Sequence, residues 1–264
     1  MILTLDVGNT NVTATLFKGL RPVKKLALPT GKFRKPGGVS ALRRSFAGRS
    51  IRAVVICSVV PGIERKLSAE LKKAFKVKPI FLGRDIKVPI RNLYKKPGQV
   101  GQDRLVNAYA AHLIYGSPAI IIDFGTAVTF DVTSIKGAYL GGVITPGISL
   151  SLDVLSERTA LLPRVELKTV TPLLGRDTPS SIAGGMIHGY GAMCDGLVGR
   201  FRKKLKKNFR VIATGGNAAL ISKVSASINV VDQDLTSKGI LLSYLDSSLN
   251  RASFQKNKKN KEST

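Results

Sequence analysis

Tryptophan is absent from this 264-residue chain, and cysteine and histidine occur only twice each. His112 and His188 stand in no metal-ligand spacing, which argues against a histidine-based zinc site and against a Ser-His-Asp triad. Cys57 and Cys194 are too few for a disulfide framework. They point to a reducing compartment, with a single buried disulfide as the alternative. Acidic residues are also scarce: 16 Asp and Glu face 42 Lys and Arg, for a net charge of +26. No long apolar run occurs. The stretch "AVVICSVV" at 53–60 is far shorter than the about 20 residues a membrane-spanning helix needs. Asp6 interrupts the first apolar run and no basic leader precedes it, so no signal peptide is expected and the expected location is cytoplasmic. The P-loop pattern G-x-x-x-x-G-K-[ST] is missing, as is a strand-linked G-x-G-x-x-G. No zinc-finger or RNA-binding aromatic motif is present either.

The basic excess has two readings, an anionic partner (nucleotide, small acid or nucleic acid) or a solvated surface. Its distribution is uneven. No acidic residue lies between Val7 and Ile63, and "FRKKLKKNFR" at 201–210 carries six positive charges. The tail 251–264, "RASFQKNKKNKEST", is basic and polar and is expected to be disordered. Because carboxylates are rare, their positions inform: Asp6, Asp103, Asp123, Asp131 and Asp177 all fall in turn-like motifs rather than on helical faces.

One device occurs twice. "ILTLDVGNTNVTATLF" at 2–17 and "AIIIDFGTAVTFDVTS" at 119–134 each run apolar residues into an Asp. A Gly and small polar residues follow, then a second β-branched run. Each reads as a strand–turn–strand hairpin. Further strands are expected at "VKKLALP", "IRAVVICSVV", "KPIFLG", "GAYLGGVITPG", "RVIATGG" and 228–231. Helices are expected over "GGVSALRRSFAG", "GIERKLSAELKKAF", 102–115, 147–157, 179–206, a stretch after "ATGG", and 236–249. Alternating strands and helices indicate an α/β protein. The repeat divides it into two similar lobes, 1–115 and 116–250.

A carboxylate at the end of a buried strand is held by the sheet, and a following Gly lets backbone N–H groups approach a phosphate. D-x-G is equally an ordinary hairpin turn. Two such loops opening two lobes fit a nucleotide, and the Gly turn "ATGGN" at 213–217 suits a nucleoside. These loops resemble the sugar kinase, actin and heat-shock ATPase superfamily. "DVGNTN", "YKKPGQVGQDRLVNA", "DFGTAVTFD", "GGVITPG", "LPRVEL", "GRDTPSSIAGGMIHG" and "ATGG" occur in the order seen in type III pantothenate kinases, over most of the span 6–216. Three positions depart from the family's pattern: Thr15 for a common Gly, Asp177 for Asn, and Ala183 for Ser.

The resemblance implies ribonuclease H-like lobes with an ATP cleft between them, and phosphate transfer from ATP to the hydroxyl of pantothenate. It implies ATP contacts at Asp6, Val7, Gly8, Asn9, Thr10, Asn11, Val12, Thr13, Thr126 and Gly215, with Gly216 flanking the adenosine. Asp6 would lie at the Mg²⁺–phosphate site. Asp103 resembles the catalytic base, although its spacing also suits a helix cap. Pantothenate contacts are implied at Tyr94, Gly101, Gln102, Asp103 and Arg104. Thr178 would reach the pocket of a second subunit in a homodimer with shared active sites. For Arg104 a surface ion pair, for Tyr94 a packing role and for Thr178 a helix cap are the competing readings. Asp123 resembles the ligand of an activating monovalent cation, K⁺ or NH₄⁺. Nucleic acid is expected to bind only non-specifically, and no membrane partner is expected.

Overall fold

The computed structural model describes residues 1–34 and 37–247, so the tail 251–264 lies outside the described residues. The chain forms two compact units. The first holds Met1–Ile90, Lys96–Ala110 and the described residues from Thr236 onward; the second holds Arg91–Lys95 and Ala111–Leu235.

In the first unit β1 (Ile2–Val7), β2 (Asn11–Lys18) and β3 (Arg21–Pro29) form an antiparallel meander. Two helices follow, α1 (Gly31–Arg34) and α2 (Gly38–Ser45). Strand β4 (Ala53–Ser58) lies parallel to β1, and after α3 (Glu64–Phe75) the short β5 (Ile80–Phe81) extends the sheet. The strand order is β3-β2-β1-β4-β5. β1 is central and buried along its length except at half-buried Asp6, with polar Thr4 and Asp6 interrupting its apolar residues. On one face Leu3, Leu5, Val7, Val12, Ala14, Leu16, Val54 and Ile56 pack with Leu42 of α2 and Leu67 and Leu71 of α3.

By alternation the other face of β1 presents Thr4 and Asp6. Residues 235–247 are helical and bring Ser237 to this side of the sheet. There the Ser237 and Thr15 hydroxyls are 2.9 Å apart. This explains Thr15 where Gly is common in the family: its hydroxyl is buried and partnered. The helix α4 (Gln102–Tyr115) starts in this unit. Gly239 allows the 235–247 helix to approach it closely, since a Cβ at Gly239 would lie 3.1 Å from the Val106 Cβ and closer still to its carbonyl.

The second unit repeats the plan. β6 (Ala119–Phe124), β7 (Ala127–Thr133) and β8 (Tyr139–Pro146) form an antiparallel meander, and β9 (Arg210–Gly215) and β10 (Val230–Val231) add in parallel. The order β10-β9-β6-β7-β8 is that of the first sheet, strand for strand. Ile120, Ile122, Phe130 and Val211 pack with Ile148 and Leu152 of α5 (Ile148–Glu157) and with Ile182 and Val198 of α6 (Thr178–Leu205). A short α7 (Ala218–Ile221) follows β9. α6 begins with a capping box: Asp177 Oδ1 accepts from the Ser180 N–H at 2.7 Å, and Ser180 Oγ accepts from the Asp177 N–H at 3.2 Å. Asn and Asp serve equally as caps, so Asp177 keeps the role open to Asn at this position. Ala183 is buried within α6.

Among the described residues no helix is long and apolar enough to cross a membrane. The four-residue α1 and a 3₁₀ turn at Pro97–Gln99 were not expected from the sequence. Each is shorter than the span over which apolar spacing becomes readable.

Candidate functional site

Asp6 is the fifth residue of the six-residue β1, and Asp123 the fifth of the six-residue β6. Both strands have the same burial pattern, with four buried residues, a half-buried Asp and a buried final residue. Asp6 faces Thr13 on β2 and Cys57 on β4; Asp123 faces Thr129 on β7 and Thr214 on β9. The repeated sequence device is therefore one carboxylate, held at one place in one topology, built twice.

In the first unit the loop after Asp6 is tightly tied. The Gly8 N–H donates to the Asn11 carbonyl at 3.0 Å, which closes the turn. The Thr30 hydroxyl donates to the Gly8 carbonyl at 2.6 Å, and its N–H donates to the Thr10 carbonyl at 2.9 Å. Asn9, Thr10 and Asn11 remain exposed between these ties, while Val7 and Val12 anchor the loop in the core. Thr30 escaped the sequence reading because a lone Thr after a strand has no spacing signal.

Asp103 comes to the same side of this unit from α4. The helix begins at Gln102, so Asp103 sits within its first turn, where its Oδ1 accepts the Arg104 N–H at 2.8 Å. Burial pushes the Asp103 carboxyl above the usual range, opposed by that hydrogen bond and by the Arg104 charge. Gly101 is required beside it, because a Cβ there would collide with Asp103 Oδ1 and lie 3.7 Å from Val59. Gln102 packs over Gly83, where a Cβ would be 2.8 Å from its side chain. Arg104 is buried, so it is no surface ion pair.

Asp6 and Asp103 converge on Cys57. Burial pushes this thiol well up, and the Asp6 and Asp103 charges push it further. Cys57 is thus a buried thiol that pairs in register with Asp6 and is raised by both carboxylates, a position the sequence did not signal. Both cysteines are free.

In the second unit Asp123 lies under the Gly turn that ends β9. Gly215 has φ +89, and a Cβ there would sit 2.6 Å from Asp123 Oδ1. The Gly216 N–H donates to the Phe124 carbonyl at 3.1 Å, fixing this turn on β6. Thr126 is exposed at the β6–β7 turn, and its carbonyl accepts the Gly147 N–H at 3.0 Å. Asp123, Thr126 and Gly215 are therefore brought together at one end of one sheet.

Tyr94 is half-buried in the same unit. Its N–H donates to Asn92 Oδ1 at 3.0 Å, and its ring lies against Gly141, where a Cβ would be 3.2 Å away. The Tyr139 ring is 6.3 Å from it, centroid to centroid. Tyr139 is itself held by a buried carboxylate: its hydroxyl donates to Asp131 Oδ1 at 2.8 Å, and the Thr129 hydroxyl donates to Asp131 Oδ2 at 3.0 Å. Asp131 is thus an internal anchor of β7 and does not close a hairpin. Thr178 is exposed as the first residue of α6, and the cap belongs to Asp177. His112 and His188 are structural: His112 Nδ1 lies 2.9 Å from the Ser117 hydroxyl, and His188 Nε2 lies 2.9 Å from the Thr171 carbonyl.

With this geometry in place, comparison with known proteins is direct. A sequence model of the type III pantothenate kinase family matches residues 2–200. The type III pantothenate kinase of Myxococcus xanthus (strain DK1622) is 38% identical over 250 residues, covering 92% of this chain and 98% of that protein. A conserved Baf family transcriptional activator from Campylobacter jejuni superposes with a TM-score of 0.62 at 18% identity, over 93% of this chain and 98% of that one. A 2-dehydro-3-deoxygalactonokinase protein from Sinorhizobium meliloti gives a TM-score of 0.55 at 13% identity, over 92% and 96%. The shared fold is that of the actin-like ATPases and sugar kinases.

Proposed function

The chain belongs to the type III pantothenate kinase family, and on that premise we propose how its own residues divide the work. The reaction is ATP-dependent phosphorylation of the pantothenate hydroxyl to 4'-phosphopantothenate, which leads to coenzyme A. ATP and a divalent metal are used. Asp103 held at the start of α4 against Gly101, with Asp6 near the end of β1 in the same unit, is the observation that carries the assignment of roles.

Phosphoryl transfer is driven by positioning and electrostatics, with a carboxylate to receive or orient the hydroxyl proton. Asp103 takes that role. Its burial makes it a better base than a surface Asp, and the Arg104 charge beside it favours an anionic substrate group. Gly101, Gln102 and Tyr94 complete the proposed pantothenate contacts. Asp6 would hold Mg²⁺, which normally takes one or two carboxylates and completes its shell with water and substrate phosphates. Asp6 fits that mode as a single half-buried carboxylate near the end of β1, beside the exposed loop of Asn9, Thr10 and Asn11. Bound there, the ion would neutralise charge developing on the phosphate oxygens. Val7 to Thr13 is the proposed ATP loop, with the exposed Asn9, Thr10 and Asn11 at its tip facing phosphate, and Thr126 and Gly215 are the proposed ATP contacts of the second unit.

Asp123 is proposed to bind a monovalent cation, K⁺ or NH₄⁺. Thr178 is proposed to complete the pantothenate pocket of the partner in a homodimer. α6 supports a partner: Gly185, Gly189, Ala192, Gly196 and Gly199 recur at helical spacing and are all exposed. A Cβ at any of these four glycines would meet nothing of its own chain within 4 Å. An exposed Gly in a helix costs about 1 kcal/mol relative to Ala, so four of them need a use, and close packing of another helix is one. The free, buried cysteines suit a cytoplasmic location.

The test is product formation. Protein incubated with ATP, Mg²⁺ and pantothenate should yield phosphopantothenate by mass in potassium or ammonium buffer, and little in sodium or choline at matched ionic strength. No product in any salt defeats the kinase assignment; equal rates in all four remove the cation from Asp123.

A further inference from the structure

The end of α6 and the start of β9 hold a concentration of charge that the kinase reaction does not use. Seven cations lie within Arg200–Arg210: Arg200, Arg202, Lys203, Lys204, Lys206, Lys207 and Arg210. No Asp or Glu occurs between Gly196 and Val231. The nearest carboxylates in sequence are turned elsewhere. Asp195 accepts from the Ser225 hydroxyl at 2.7 Å and from the Ala226 and Ser227 N–H groups at 3.1 and 2.9 Å. Asp232 accepts from the Tyr115 hydroxyl at 2.9 Å. None of the seven cations forms an ion pair among the described residues.

An ordinary helix end does not explain this. A helix C-terminus carries about half an elementary negative charge, which one cation complements. Seven cations exceed that need, and their mutual repulsion is relieved when a polyanion binds. The shape supplies a second observation. Arg202, Asn208, Phe209, Arg210 and Asn229 line an open hollow of about 470 Å³. Asn229 Oδ1 accepts the Val211 N–H at 2.9 Å, which leaves its amide nitrogen as the end available to a ligand. The Nε of Arg202 is buried and has no hydrogen-bond partner. The hollow is therefore bordered by donors and cations, with no acceptor charge.

We propose that this surface binds the phosphate backbone of duplex nucleic acid, independently of sequence. One phosphate suits the hollow, and the exposed lysines 203, 204, 206 and 207 extend the positive field past it, as a repeating polyanion requires. Base stacking is not provided: Phe209 is buried, and Arg210 sits over the Tyr115 ring at 5.9 Å. Single-strand binders depend on such aromatic platforms, so a duplex is the favoured form.

The protein's overall charge of +26 would itself attract polyanions, so the test compares two variants of equal net charge. K203Q/K204Q/K207Q/R210Q removes the surface; K18Q/R21Q/R43Q/K73Q removes four exposed cations of the first unit. Binding to a random-sequence duplex of about 20 base pairs is followed by anisotropy across a salt series. The first variant should lose about tenfold or more in affinity at low salt, and its log–log salt slope should fall by about 3, near 0.9 per lost phosphate contact. The second should change less than about twofold. Both should keep kinase turnover and thermal midpoint, which shows that they fold. Equal losses in both variants would assign the affinity to net charge alone, and an unchanged first variant would remove the surface from binding. Tighter binding to a single strand of equal length would overturn the duplex assignment. Inorganic phosphate competing fully at matched ionic strength would reduce the surface to a site for one phosphate group.

Discussion

Asp103 shows how a single residue can be kept at a loss for its chemistry. Its carboxyl is raised by burial, so the folded protein binds that proton more tightly than the unfolded chain does. Between the unfolded value of about 3.9 and the higher folded value, the native state holds more protons, and stability falls as pH rises. At neutral pH the charge is therefore destabilising. Asp103→Asn should raise the thermal midpoint at pH 7, and this advantage should shrink to nothing as pH drops below the unfolded value. Turnover should fall by about 10²–10⁴-fold, the range for loss of a general base. A variant that is both less stable and more than a third as active would mark Asp103 as a first-turn hydrogen-bond acceptor only. Burial and the Asp6 and Asp103 charges push the Cys57 thiol up, which disfavours the thiolate a nucleophile needs. Residue identity at these sites was legible in part. Asp6, Asp103, Asp123 and Asp131 could be picked out because carboxylates are rare, but Thr30 and Cys57 act through contacts between distant segments that no local pattern reports.

Among the elements, α6 joins two proposals. It starts at Thr178 behind the Asp177 cap, and it presents the exposed glycine face along the following turns. If the partner packs on that face, Thr178 is carried with it toward the neighbouring pocket. Asp103→Asn chains mixed with chains disabled at Thr178 should regain about half of wild-type activity per mixed dimer, since two-fold exchange gathers both defects in one site and frees the other. Mixed dimers that form by tag pull-down yet remain inactive would place the whole site in one chain. Most elements were legible from periodicity: α4 spans 102–115 as its apolar spacing indicates, and β1, β2, β6 and β7 follow the two hairpin runs. The glycine face was not, because Gly carries no apolar signal and a hydrophobic pattern passes over it.

For the whole molecule, the repeat proved deeper than its sequence. Only the opening hairpins of the two units resemble each other in letters, yet five strands correspond in order and direction. β3, with its exposed polar residues, and β8, with its glycines, share no readable pattern; a sheet-edge position constrains topology more than composition. Nor did the sequence indicate that residues 236–247 belong with the first unit, since the Ser237–Thr15 contact links positions 222 residues apart. That return has a consequence for the order of events during synthesis. Residues 111–235 of the second unit are contiguous and can close as they emerge from the ribosome. After α4 is made, Thr15 of the first sheet waits for its Ser237 partner for a time on the order of ten seconds at typical elongation rates. A chain ended after Leu235 should show hydrogen-exchange protection in β6, β7 and β9 but little in β1 and β2, whereas full protection of β1 in that chain would mean the last helix is dispensable. The N-terminal strands, first to be made, are then the last to be finished, and in the interval their open face is the part of the chain most exposed to misassembly.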